Sequence, residues 1–78
     1  MSKLPPLRPK QILRTLLRLD FFVYNQIGSH VHLRHQTKTH LRVTVPRHDQ
    51  FDLPTFVVLS IIKQAELSKE EFIKILKK

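Results

Sequence analysis

The stretch Gly28-Ser29-His30-Val31-His32-Leu33-Arg34 holds the only glycine of the chain, two of its five histidines and an alternation of apolar with polar side chains. Successive side chains of a strand point to opposite faces. A strand here turns Val31 and Leu33 toward a core and His30, His32 and Arg34 toward solvent. Imidazoles near neutral pH accept or donate protons, and arginines beside them hold oxyanions. Metal binding is the competing chemistry, with His30 and His32 joined by His40 or His48 around zinc or nickel. No thiol or nearby acid completes that set, so no metal site is expected. Taken alone, His30 also reads as an ordinary exposed strand histidine, as do His35 and His40.

The elements that must position this strand follow from periodicity and breakers. Pro9 suits the first turn of a helix, and Ile12, Leu13, Leu16 and Leu17 recur at helical spacing as far as Leu19. Lys10, Arg14 and Arg18 stack on another face of the same helix at intervals of four. Asp20 ends it. Phe21 to Ile27, rich in aromatic and β-branched residues, reads as a strand. Gly28 supplies the turn to a second strand over 29–35, and Gln36 to Lys38 supply the turn to a third over 40–45. Connections this short exclude parallel crossovers and give an antiparallel meander. Its outer face carries His30, His32, Arg34, Arg42 and Thr44.

Pro46 is expected to stop the third strand. Asp52 is expected to cap the next helix, with Pro54 near its start. The run Phe56 to Ile62 has the composition of a buried strand as well as of a helix. The continuation Lys63-Gln64-Ala65-Glu66 and the spacing of Val58, Ile61, Ile62 and Ala65 decide for helix. Phe56, Val57 and Leu59 are then surplus to one face. Packing against a last helix is the simplest use for them; a dimer or partner contact is the alternative. Ser68 and Glu71 form a capping box that opens this last helix.

Seventy-eight residues make one small domain, with residues 1–7 as a lead-in and 68–78 as a C-terminal helix. The absence of cysteine excludes disulfides and thiolate metal sites. The N-terminus does not read as a signal peptide and no stretch reaches membrane-spanning length, so a cytoplasmic location is expected. Formal net charge is +8, and its placement is uneven. Up to His48 there are nine Lys and Arg against Asp20 alone, whereas from Asp49 onward five lysines meet five acids. The first part has the composition of a polyanion binder.

Gly28-Ser29-His30 with Leu33, then Val43-Thr44-Val45-Pro46 with His48, then Ser60-Ile61-Ile62-Lys63-Gln64-Ala65, together resemble the HicA family of toxin ribonucleases in order and spacing. Asp20 and Glu66 stand where that family commonly has glycine, and Leu59 where it tends to have a basic residue. The resemblance implies an α+β fold like that of double-stranded-RNA-binding domains, α-β-β-β-α with a three-stranded antiparallel sheet, here with an added C-terminal helix. It also implies an mRNA interferase of a type II toxin–antitoxin system, held inactive by a HicB-type antitoxin, with His30 as the catalytic residue.

Under that reading His30 takes the 2′-hydroxyl proton of single-stranded mRNA while arginines stabilise the phosphate, without metal or other cofactor. The candidate RNA contacts are Ser29, His32, Arg34, Arg42 and Arg47, with Lys10, Arg14 and Arg18 on the first helix. Scarce carboxylates in the basic part argue against a two-metal site. The rival reading is a noncatalytic RNA-binding module in which Tyr24 and the arginines hold RNA by stacking and phosphate contacts. A third reading makes the chain chiefly one half of a complex with an acidic antitoxin, as a homodimer or a hetero-oligomer.

Overall fold

The computed structural model describes residues 3–78, so the first two residues of the expected lead-in lie outside the described residues. Helix α1 spans Pro9–Arg18. Proline's fixed φ and missing N–H cost nothing at the first helical position, and the backbone N–H of Arg8 donates to Gln11 Oε1 at 2.9 Å. Ile12, Leu13 and Leu16 are buried as the spacing requires. Thr15 joins them, because its hydroxyl donates to the Gln11 carbonyl at 2.9 Å and leaves no unsatisfied polar atom in the core. Asp20 then turns the chain with φ of +70°, the left-handed conformation that often follows a helix.

Strands β1 (Phe21–Ile27), β2 (His30–His35) and β3 (Arg42–Pro46) form one antiparallel sheet in the order β1-β2-β3. Gly28 and Ser29 link β1 to β2 as a two-residue turn. Gly28 takes φ of +58° at its first position, as a type II′ turn demands. The second connection is closed by a residue that sequence had assigned to the plain surface. His35 Nδ1 accepts from the backbone N–H groups of Thr37 (3.2 Å) and Lys38 (3.0 Å), and its ring meets the buried Phe21 edge-on at 4.9 Å. The expected start of β3 at His40 is two residues early, because Leu41 N–H bonds back to the Lys38 carbonyl and stays in the turn. Pro46 closes β3 instead of following it. It is the last residue of an edge strand, where a missing N–H costs no ladder bond.

Val31, Leu33, Val43 and Val45 are buried on the inner face of the sheet against a layer of helices. Helix α2 spans Thr55–Gln64 and buries Val58, Ile61 and Ile62, followed by Ala65. Its N-cap is Pro54, with no side-chain cap. Asp52 therefore does not cap α2 as expected; it lies two residues further out and pairs with Arg8 at 3.4 Å. Nearby, Leu53 N–H donates to the Leu7 carbonyl at 2.8 Å, and Leu7 is itself buried in the core.

Helix α3, Lys69–Leu76, opens on the expected capping box. Ser68 Oγ accepts from Glu71 N–H at 3.0 Å while Glu71 Oε1 accepts from Ser68 N–H at 2.9 Å. Hydrogen bonding of the Glu71 carboxylate by Ser68, by its backbone N–H first and its side chain second, holds that carboxyl below its ordinary value. Phe72 and Ile73 enter the core. Of the surplus residues of α2, Val57 packs partly against that core, whereas Phe56 is 75% exposed and Leu59 is also exposed. Packing against α3 does not absorb these two. Among the described residues no helix is long and apolar enough to cross a membrane.

Candidate functional site

The strand register assembles the outer face of the sheet. His30 pairs with Ile27 on one side and Pro46 on the other; His32 lies between Asn25 and Thr44; Arg34 lies between Phe22 and Arg42. Directly paired residues share a face, so His30, His32, Arg34, Arg42 and Thr44 stand together on the side away from the helices, as expected. All six acids of the chain lie outside the three strands. Arg34 and Arg42 are thus cross-strand neighbours with no carboxylate on their face. Directly opposed like charges are destabilising, and a bound anion would relieve that repulsion.

His30 opens β2 immediately after the Gly28-Ser29 turn and is exposed. The turn itself is tied down, because the Ser29 carbonyl accepts from Arg47 N–H at 2.6 Å. Of the five histidines, three have partners. His32 Nδ1 lies 3.2 Å from the Thr44 hydroxyl, His35 closes its turn, and His40 Nε2 is 3.5 Å from Glu66 Oε2. Among the described residues, the side chains of His30 and His48 make no such bond. Nor do any three His, Asp or Glu side chains among them converge as a set of metal ligands.

The other candidate contacts divide. Arg47 is committed within its own loop, its Nε donating to both Asp49 carboxylate oxygens at 3.1 and 3.2 Å. Lys10, Arg14 and Arg18 are exposed on the side of α1 opposite its buried residues, so they lie on the outer surface of the helical layer and not beside His30. The structure therefore separates the basic stripe from the histidine face.

Two features of the site had little or no signal in the sequence. A β-bulge between Val23 and Asn25 shifts Asn25 and Ile27 onto the outer face and leaves Tyr24 there unpaired. There the Arg34 guanidinium carbon sits 4.7 Å from its ring centroid, and the His32 ring lies 6.2 Å away. Gln64 carries no sequence signal beyond its place in the Ser60–Ala65 motif. Its Oε1 accepts from Thr44 N–H at 3.0 Å and its Nε2 donates to Ser60 Oγ at 3.1 Å. The i, i+4 pair Ser60 and Gln64 thus fastens α2 to the outer edge of β3, beneath the residue that holds His32.

Fold and face together define an α+β domain with helices on one side of an antiparallel sheet and an acid-free basic face on the other. The family described as HicA toxin of bacterial toxin-antitoxin matches residues 9–67, three-quarters of the chain. This chain belongs to that family, a family of toxins whose action is paired with an antitoxin. A search of the curated proteins found no match.

Proposed function

We propose that this chain, acting as one domain in the cytoplasm, is a type II toxin that cleaves single-stranded mRNA without metal, with His30 as general base. The observation that carries this reading is an exposed, unengaged imidazole on an acid-free face with Arg34 and Arg42. The imidazole removes the proton of a ribose 2′-hydroxyl, and the resulting oxygen attacks the adjacent phosphorus. The bond to the 5′-oxygen breaks, and that oxygen receives the proton from the imidazolium, directly or through water. Arg34 and Arg42 hold the phosphate as charge builds on its oxygens. Products carry 2′,3′-cyclic phosphate ends, and DNA, which lacks the 2′-hydroxyl, is not cut. The partner is an antitoxin of HicB type that covers His30.

The test is incubation of wild type and His30→Ala with a single-stranded RNA in EDTA, with analysis of the product ends. Cleavage by wild type alone, leaving cyclic phosphates, is the expected outcome; loss of a general base is worth about 10²- to 10⁴-fold in rate. RNA left intact by both proteins, with binding retained, would replace this reading by the noncatalytic RNA-binding module. Continued cleavage in a complex saturated with antitoxin would remove the covering of His30 from the proposal.

A further inference from the structure

A sheet face that only gripped phosphates would have no use for exposed apolar side chains, yet the β1 side of this face is lined with them. Phe22, Tyr24 and Ile27 all lie on it, Tyr24 44% and Ile27 63% exposed. They run parallel to the polar row His30, His32 and Arg34 on β2, one strand spacing away. The bulge extends the lane. Strict alternation already puts Phe22 and Tyr24 on one face, and the extra residue brings Ile27, which would otherwise fall on the opposite face, alongside them.

We infer that β1 is a stacking lane for unpaired nucleobases, with Tyr24 as its principal platform, and that the strand's phosphates lie along the adjoining arginines and histidines. One face of the Tyr24 ring is covered by the Arg34 guanidinium, and the exposed remainder of the ring accepts a base. Among the described residues the Arg34 Nε is buried without a hydrogen-bond partner, and the Tyr24 ring lies against the same guanidinium. A base stacked on Tyr24 completes an arginine–tyrosine–base sandwich, combining cation–π and stacking contacts. Charge selects the occupant. All six acids lie outside the strands, and Arg34 opposes Arg42 across them, so a strand of alternating bases and phosphates matches the apolar lane and the cationic row at once. Bases within a duplex are already stacked and paired, so the lane favours single strands.

This inference rests on RNA being the ligand but not on cleavage, and the chain carries its own probe. Tyr24 is the only tyrosine and there is no tryptophan, so tyrosine emission reports on this position alone. The experiment titrates His30→Ala, chosen because it is expected to leave RNA intact, with a single-stranded oligoribonucleotide. Binding is read by the anisotropy of a label on the RNA and stacking by Tyr24 emission. Saturable quenching that tracks binding is expected, with none from a base-free polyanion such as heparin or from a duplex of equal length. Tyr24→Ala in the same background should bind roughly 5- to 150-fold more weakly, the range for loss of one base–aromatic stack. Tyr24→Phe, which keeps the ring, should retain the affinity.

RNA binding with unchanged emission, or equal quenching by heparin, would overturn the stacking lane and leave the RNA reading standing. Absence of any RNA binding would overturn both. Emission altered by the antitoxin but not by RNA would assign the lane to a protein contact and overturn the inference. A folded Tyr24→Ala variant, judged by circular dichroism, with undiminished affinity would do the same.

Discussion

At residue scale, Gly28 takes a positive φ without the penalty that a Cβ carries there. Among the described residues, no atom beyond Gly28 and its two chain neighbours lies within 4 Å of where a Cβ would stand, so the cost of Gly28→Ala is that of the φ of +58°. About 1–3 kcal/mol of lost stability is expected, measurable by urea denaturation, together with displacement of His30 at the next strand position. Asp20 and Glu66 present the converse case, with φ of +70° and +56° on residues that carry a Cβ. Both occupy positions where the family resemblance calls for glycine. Glu66→Gly should stabilise the fold by roughly 0.5–1 kcal/mol in the same assay. The loss of the exposed His40 pair subtracts little. Asp20→Gly should stabilise it less, because aspartate tolerates the left-handed region better.

At the scale of elements, the sheet is bound to the helices through specific polar contacts as well as through the core. The Ser60–Gln64–Thr44–His32 sequence of hydrogen bonds joins two stretches that looked like separate motifs in the chain. The α3 cap gives a pH dependence of known sign. The Glu71 carboxyl has a lower pKa folded than unfolded, so its contribution is present above the unfolded value and lost as pH falls through the folded one. In thermal melts from pH 7 to pH 3, Glu71→Gln should be less stable than wild type at pH 7 and converge with it toward the acid end. The α1 stripe makes a different prediction. Replacing Lys10, Arg14 and Arg18 by Gln should leave stability within about 0.5 kcal/mol, as for exposed sites. If each contacts one phosphate, the slope of log affinity against log salt should fall by about 2, from roughly 0.7 per contact. Tyr24 quenching should persist, since the stripe lies on the other layer.

For the molecule as a whole, the boundary of the family match and the boundary of the core do not coincide. The match ends at residue 67, yet Phe72 of α3 has no exposed surface and belongs to the same cluster as Leu16, Leu33 and Ile61. Helix α3 is therefore part of what holds the sheet in place. Phe72→Ala should cost about 3–5 kcal/mol, a large share of the 5–15 kcal/mol typical of a folded protein. A large fall in melting temperature by circular dichroism is the expected result, and a fall of only a few degrees would count against α3 as a structural element. Exposed Phe56 and Leu59 sit at the other extreme. They contribute little to the core and remain available on the surface of α2.

Local chemistry was enough to make the order of elements legible. The 3.6-residue spacing of Ile12, Leu13 and Leu16, the alternation through Val31 to Val45, the lone glycine and the Ser68 box each act over a few residues, and the structure follows them closely. The outer-face positions of His30, His32, Arg34 and Arg42 were legible for the same reason, since alternation decides them. Other features depend on partners far along the chain, and only the tertiary structure decided them. Asp52 became an ion-pair partner of Arg8, and His35 became the closure of a turn against Phe21. The bulge brought Ile27 onto the face where Tyr24 meets Arg34, and the layering carried the α1 stripe away from the histidines. A short sequence window contains side-chain types and their period; it does not contain the register and layer packing that bring distant side chains together.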